Sequence, residues 1–157
     1  MRLALYQPDM PPNVGTLLRL AACLGVPVDI IEPCGFPWDD RRLRRAGMDY
    51  LDHVELARHA SFDAFMAARR AQAGAGRLIL LTTRGEALHH RFRFAPDDTL
   101  MTGQESRGVP PAVHQAADAR IRIPMRAGLR SINVALAGAM VLGEALRQLN
   151  RFPGDMP

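Results

Sequence analysis

Residues 78–82 read Leu78-Ile79-Leu80-Leu81-Thr82, four consecutive apolar side chains with no polar face between them. Successive side chains of a strand point to opposite faces. A run that is apolar on both is therefore covered on both, as in a parallel sheet packed between helices. Further strand-like runs lie at Arg2–Tyr6, Val26–Ile31, Thr99–Thr102 and Ala119–Ile123, with a weaker one near His53–Leu56.

Helical patterns fill the gaps. Asn13 is expected to cap a helix after Pro11-Pro12. Leu17, Leu20, Ala21 and Leu24 then recur at helical spacing, and Gly25 is a natural stop. Ser61 is expected to cap a second helix whose inner side carries Phe62, Phe65 and Met66. A short helix follows Pro110-Pro111. The last helix is expected from Ser131 to Gln148, with Ile132, Leu136, Ala139, Met140, Gly143 and Leu146 as its apolar stripe. Strands alternating with helices give a doubly wound α/β domain: one mostly parallel sheet with helices on both faces. The expected domain covers residues 1–150, with 151–157 as a tail that frays from Phe152.

The composition suits one globular core, with 48% apolar and 23% charged residues over 157 positions. The net charge of +4 is carried by arginine, which grips phosphate in bidentate fashion and stacks on bases. That balance favours a nucleic-acid partner, while a solvated arginine-rich surface explains it equally well. Cys23 and Cys34 form no C-x-x-C and read as apolar core residues or free thiols. The five histidines lack metal-ligand spacing, so no metal is expected. The chain opens on a strand rather than a leader, and its longest apolar run, Val134 to Gly143, is too short to span a bilayer. A cytoplasmic protein is the expectation.

Ligands of open α/β sheets sit at the carboxyl ends of the strands. After the first strand there is no G-x-G-x-x-G but Gln7-Pro8-Asp9-Met10-Pro11-Pro12-Asn13, which disfavours a dinucleotide fold. Three other segments stand out. Asn13-Val14-Gly15-Thr16-Leu17-Leu18-Arg19 offers amides at a helix start and a guanidinium further along, or simply a capped helix with a solvated arginine. Leu100 to Pro110 runs from an apolar strand into a loop bounded by Gly103 and Gly108 and holding Glu105 and Arg107, or is only a tight connection. Ile123-Pro124-Met125 leads through Gly128 to Arg130-Ser131-Ile132-Asn133, with Ser131 read as a helix cap and Asn133 as an amide that needs partners.

Taken together, N-x-G-x-x-x-R (Asn13, Gly15, Arg19), L-x-x-G-x-E-x-x-G-x-P (Leu100, Gly103, Glu105, Gly108, Pro110) and I-P-M…R-S-x-N (Ile123 to Asn133) resemble the SPOUT superfamily of methyltransferases, in the branch acting on ribose 2′-hydroxyls. Leu5-Tyr6-Gln7-Pro8, Ile30-Ile31-Glu32-Pro33 and the segment from Asp39 to Tyr50 narrow the resemblance to the subfamily that methylates cytidine or uridine 34 of tRNA. The similarity runs from Leu3 to Leu149. It implies a deep C-terminal trefoil knot, which pattern reasoning alone disfavours. It also implies S-adenosylmethionine bound in that knot and a homodimer whose RNA sites draw on both subunits.

Carried over by motif, the resemblance implies cofactor contacts from Leu81, Thr82, Gly103, Glu105, Gly108, Ile123, Pro124, Met125, Ser131 and Asn133. Arg19, with Asn13 beside it, falls to catalysis, either as a base or as a charged clamp on phosphate and developing alkoxide. Arg41, Arg42, Arg44 and Arg45, beside Trp38, are expected to hold the anticodon stem-loop phosphates, or else form a solvated helical face. Two positions depart from close relatives: Ala135-Leu136 stands where a Ser-Asn pair is common, and Gly143 where some carry tyrosine. An enzyme of the same fold acting on ribosomal RNA, and a non-catalytic RNA-binding factor, are the alternatives.

Overall fold

A computed structural model describes residues 1–39 and 49–154 of the chain. Its seven strands are β1 (Arg2–Tyr6), β2 (Val28–Ile31), β3 (Leu56–His59), β4 (Leu78–Leu81), β5 (Ala87–Leu88), β6 (Thr99–Thr102) and β7 (Ala119–Arg122). They form one sheet in the order β3-β2-β1-β6-β4-β7-β5, with every pairing parallel. The helices are α1 (Pro11–Leu24), α2 (Phe62–Ala71), α3 (Pro111–Ala116) and α4 (Val134–Leu149). A 3-10 turn at Asp49–His53 occupies part of the stretch read as a weak strand, and β3 follows it three residues later than expected. The two-residue edge strand β5 was not legible, being too short to show alternation.

The alternation of the central strands divides the core in two. Leu3, Leu5, Ile30, Ile79, Leu100 and Ile121 face α1 and α4, whereas Ala4, Tyr6, Ile31, Leu80 and Met101 face α2 and α3 through Phe65 and Val113. All of these strand residues are buried, so the doubly covered sheet read from Leu78–Leu81 is the observed one. Helix α2 is capped as expected: Ser61 Oγ accepts from Ala64 N at 3.1 Å. Gly25 ends α1 in the left-handed region, at φ 63°, where a side chain is disfavoured.

Helix α4 packs on α1 at Gly138, where an added Cβ would lie 3.0 Å from Leu17 Cδ2. Here the structure corrects the sequence reading. The core face of α4 is Ala135, Gly138, Val141, Leu142, Ala145 and Leu146. Leu136 and Met140, placed on the inner stripe, point outward at 59% and 47% exposure. A helix apolar around most of its circumference gives periodicity no polar face from which to orient it.

Two caps are also corrected. Met10 is the cap position of α1, and Pro11 and Pro12 occupy the first turn, where a missing N–H costs nothing. Asn13 is therefore inside the helix. Asn133, not Ser131, caps α4, accepting from Ala135 N at 2.9 Å and Leu136 N at 3.2 Å. Cys23 is exposed rather than in the core, and both cysteines are free thiols. At the tail, Phe152 packs against the α1/α4 core and Arg151 N donates to Leu146 O, so the chain is held one residue beyond the expected fray point.

Candidate active site

The connections that follow β4, β6 and β7 at the carboxyl ends of these parallel strands meet the start of α1 around one cavity of about 630 Å³. Asn13, Leu81, Thr82, Gly103, Glu105, Gly108, Ile123, Met125, Ser131 and Asn133 all line it. Pro124 is exposed and lies outside the lining, although both its neighbours belong to it. Arg19 is exposed on α1 and also lies outside: its guanidinium rests over the Tyr50 ring, 4.8 Å from the centroid, and donates to Tyr50 Oη at 3.4 Å. Arg41, Arg42, Arg44 and Arg45 lie outside the described residues.

One chain of hydrogen bonds ties the walls together. Asn133, whose carbonyl caps α4, donates through Nδ2 to Asn13 Oδ1 at 3.0 Å. Asn13 Nδ2 in turn donates to Glu105 Oε1 at 3.0 Å, and Glu105 Oε2 accepts from Asp9 N at 3.2 Å. Asp9 answers by accepting from Glu105 N at 3.2 Å and from the Ser106 hydroxyl. Since Asn13 is not spent on capping α1, its amide is free to join α1, α4 and the loop after β6. Asp9 is the residue the sequence reading missed. Its only signal was a polar residue just past a buried strand, in a segment noted for lacking glycines.

Burial pushes the Glu105 carboxyl above the usual range, and its neighbour Asp9 acts in the same direction. Asp9 is held low by Glu105 and by the Ser106 contacts. A raised folded-state value means that Glu105 contributes stability below its ordinary titration range and loses it as pH rises through the raised value; Asp9 behaves in the opposite sense. Glu105→Gln removes the first titration and relaxes the second, which lies at the acid end of the range because Asp9 is held low. The melting temperature of the wild type relative to Glu105→Gln is therefore expected to fall as pH is raised from about 4 to about 7. A difference that stays constant over that range contradicts the assignment.

The loop after β6 is closed by the backbone. Gln104 and Gly108 pair across it, N to O in both directions, at 3.0 and 2.9 Å. A Cβ on Gly103 would stand 2.9 Å from the Gly108 carbonyl carbon, so only glycine lets the loop fold this tightly. The cavity pairs an apolar side (Leu80, Leu81, Val109, Ile123, Met125, Ile132) with the Asn13–Glu105–Asn133 side. His114 also lines it, and its Nε2 is a buried nitrogen with no hydrogen-bond partner among the described residues. An apolar slot ending in donors and acceptors suits a nucleoside with a polar extension. Among the described residues no group of three His, Cys, Asp or Glu side chains is placed to hold a metal ion, and no helix is long and apolar enough to cross a membrane.

The chain is similar to known proteins over most of its length. The SpoU rRNA Methylase family matches residues 1–143. A protein of Beijerinckia indica subsp. indica named tRNA (cytidine(34)-2'-O)-methyltransferase is 62% identical over 148 residues, covering 94% of this chain and 91% of its own. A solved structure described as structural insights into the 2-OH methylation of C/U34 on tRNA superposes with a TM-score of 0.86 at 42% identity, covering 94% of this chain and 95% of its own. The SpoU methyltransferase AviRb from Streptomyces viridochromogenes, in complex with the cofactor AdoMet, gives a TM-score of 0.85 at 25% identity over 98% of this chain and 59% of its own.

Proposed function

This chain belongs to the SpoU rRNA Methylase family, and from that premise we propose that it transfers a methyl group from S-adenosylmethionine to the ribose 2′-hydroxyl of the wobble nucleotide, position 34, of tRNA. The observation that carries the reading is the gathering of Gly103, Ile123 and Ser131, from loops after two different strands, around one cavity with Asn13 of α1. Relatives alike over nearly their whole length are named for this reaction. The cavity fits the cofactor: it has the volume for a nucleoside-sized ligand, an apolar side beside polar groups, and among its lining a His114 whose buried Nε2 has no partner among the described residues.

Leu81, Thr82, Gly103, Gly108, Ile123, Met125 and Ser131 would hold the cofactor, with Glu105 and Asn133 on the polar side, while Pro124, outside the lining, would only position its two neighbours. When bound, S-adenosylmethionine supplies a methyl group on a positively charged sulfur, ready for in-line displacement. The chain's own contribution is mostly placement. The Asn133–Asn13–Glu105 bonds fix the start of α1 against the loop after β6 and the start of α4. Arg19 brings a positive charge toward the sugar oxygen as it develops negative charge.

Three further features belong to the proposal. First, the chain leaves β7 near one edge of the sheet and returns as α4, which packs against α1 and β6. Its 123–133 connection passes the loops after β4 and β6, a course that supports the trefoil knot. Second, the outward Leu136 and Met140 support a homodimer. Third, a tRNA substrate supports a cytoplasmic location, and the Arg41, Arg42, Arg44 and Arg45 cluster remains a proposed tRNA contact. The deciding experiment is nucleoside mass spectrometry of tRNA from cells with and without the gene, backed by methylation of purified tRNA in vitro. Loss of a 2′-O-methylnucleoside at position 34 is expected. An unchanged position 34, with methylation lost at another RNA site, overturns the assignment.

A further inference from the structure

Arginines dominate the charge of this chain, and in the structure they divide into two sets. Arg2, Arg58, Arg77, Arg120 and Arg147 each pair with a carboxylate, while Arg69 and Arg122 bond backbone carbonyls. Arg70, Arg91, Arg93 and Arg126 make no side-chain bond among the described residues, and neither do Arg84, Arg107 and Arg130, which alone of these line the cavity. These last three follow β4, β6 and β7 respectively, so the sheet topology brings them to one place although they are far apart in sequence. Each lines the cavity and each is exposed. None of the three guanidinium groups has a hydrogen-bond or ion-pair partner among the described residues, and the one bond Arg84 makes is from its backbone N–H to Thr82 Oγ1. The two carboxylates in the same lining, Asp9 and Glu105, are taken up by backbone amides, Ser106 and Asn13 rather than by these guanidiniums.

Three uncompensated positive charges around one opening call for anions outside the protein. A single carboxylate is too few anions for three guanidiniums. A polynucleotide brings several: a ribose that enters the cavity carries a phosphodiester on each side, and both must stay at the mouth. Guanidinium groups match phosphate oxygens in bidentate geometry. Resting on the RNA-methylating reading above, we propose that Arg84, Arg107 and Arg130 form a phosphate-binding collar that seats the phosphodiesters flanking the nucleotide to be methylated. The collar residues are distinct in sequence from the arginine cluster of residues 41–45. It accounts for how an otherwise small domain holds a single-stranded segment directly over its pocket.

The test is the salt dependence of RNA binding. The affinity of an anticodon stem-loop RNA is measured across a range of KCl concentrations, with S-adenosylhomocysteine present, for three proteins. These are the wild type, the triple variant Arg84→Gln/Arg107→Gln/Arg130→Gln, and a charge-matched control, Arg70→Gln/Arg91→Gln/Arg93→Gln, at exposed positions outside the cavity lining. Each phosphate contact contributes about 0.7 to 0.9 to the slope of log K against log salt, so the collar variant is expected to lose about 2 in slope. The control is expected to keep the wild-type slope. Single collar variants are expected to lose about 0.7 each, which guards against a folding defect in the triple. Calorimetric affinity for S-adenosylhomocysteine alone is expected to be unchanged in all of them.

Equal loss of slope in both triples makes this a net-charge effect and overturns the collar. Loss of S-adenosylhomocysteine binding with an intact slope also overturns it and assigns the arginines to the cofactor. A wild type that binds S-adenosylhomocysteine but no RNA sinks the RNA reading itself, a result distinct from either.

Discussion

Arg19→Ala is expected to lower the rate of methyl transfer by about two to three orders of magnitude, the loss seen when one preorganised donor to a developing oxyanion is removed. S-adenosylhomocysteine affinity is expected to be unchanged. The second half follows from where the side chain lies. Arg19 takes no part in the cavity lining, and its contacts are with Tyr50, so truncating it removes nothing that holds the cofactor. The first half follows from its chemistry. A guanidinium keeps its proton at neutral pH and offers five donors in a fixed fork. It is therefore suited to stabilise negative charge on a sugar oxygen or to grip an adjacent phosphate. Single-turnover measurements at saturating RNA separate the two roles. A fall in the rate constant at saturation assigns Arg19 to the developing oxyanion; a fall confined to RNA affinity assigns it to phosphate binding. A variant that methylates at the wild-type rate under both regimes removes Arg19 from the mechanism. Tyr50 supplies a useful contrast. Tyr50→Phe removes the 3.4 Å hydrogen bond but keeps the ring under the guanidinium, and is expected to change the rate far less than Arg19→Ala.

The parts of the fold written in consecutive residues were legible in the sequence. Leu78–Leu81 announced a strand covered on both faces, Ser61 announced a helix start, and Gly25 a helix end, and each stands where expected. What failed were choices between two locally acceptable options. Ser131 and Asn133 are both good caps, and only the partner Asn13, 120 positions away in sequence, decides for Asn133. Asn13 reads as a cap from its neighbours, yet Pro11-Pro12 tolerate the first turn well enough to start the helix earlier. The cavity was legible as three loop motifs because each follows a strand of the same sheet. Asp9 was not, because its role comes from bonds to Glu105 and Ser106 across 96 and 97 positions of chain. Arg19 shows the converse: its spacing from Asn13 suggests a shared site, but its resting place on Tyr50 depends on a turn that carried no recognised signal.

The misplaced stripe of α4 leads to the second large effect. Leu136 and Met140 sit one turn apart on the outward face, and Gly143 beyond them has open space where a Cβ would stand. An outward apolar face of this kind supports the homodimer proposed above, in which a second copy related by a two-fold axis would cover the face with itself. The double variant Leu136→Glu/Met140→Glu is therefore expected to turn a dimer into a monomer. Each side chain is about half exposed in the single chain, and in the proposed dimer two copies of each would meet across the axis. Their burial is worth at least about 3 kcal/mol, or about a hundredfold in dissociation constant, before the cost of burying glutamates is added. Because neither side chain belongs to the core of its own chain, the variant monomer is expected to keep its secondary structure and its S-adenosylhomocysteine binding. Loss of methyl transfer in a folded, cofactor-binding monomer then shows that the RNA site needs both subunits. Light scattering coupled to size exclusion reads the first outcome and a methylation assay the second. A variant that stays dimeric places the interface elsewhere, and a monomer that methylates at the wild-type rate shows that each chain carries a complete site.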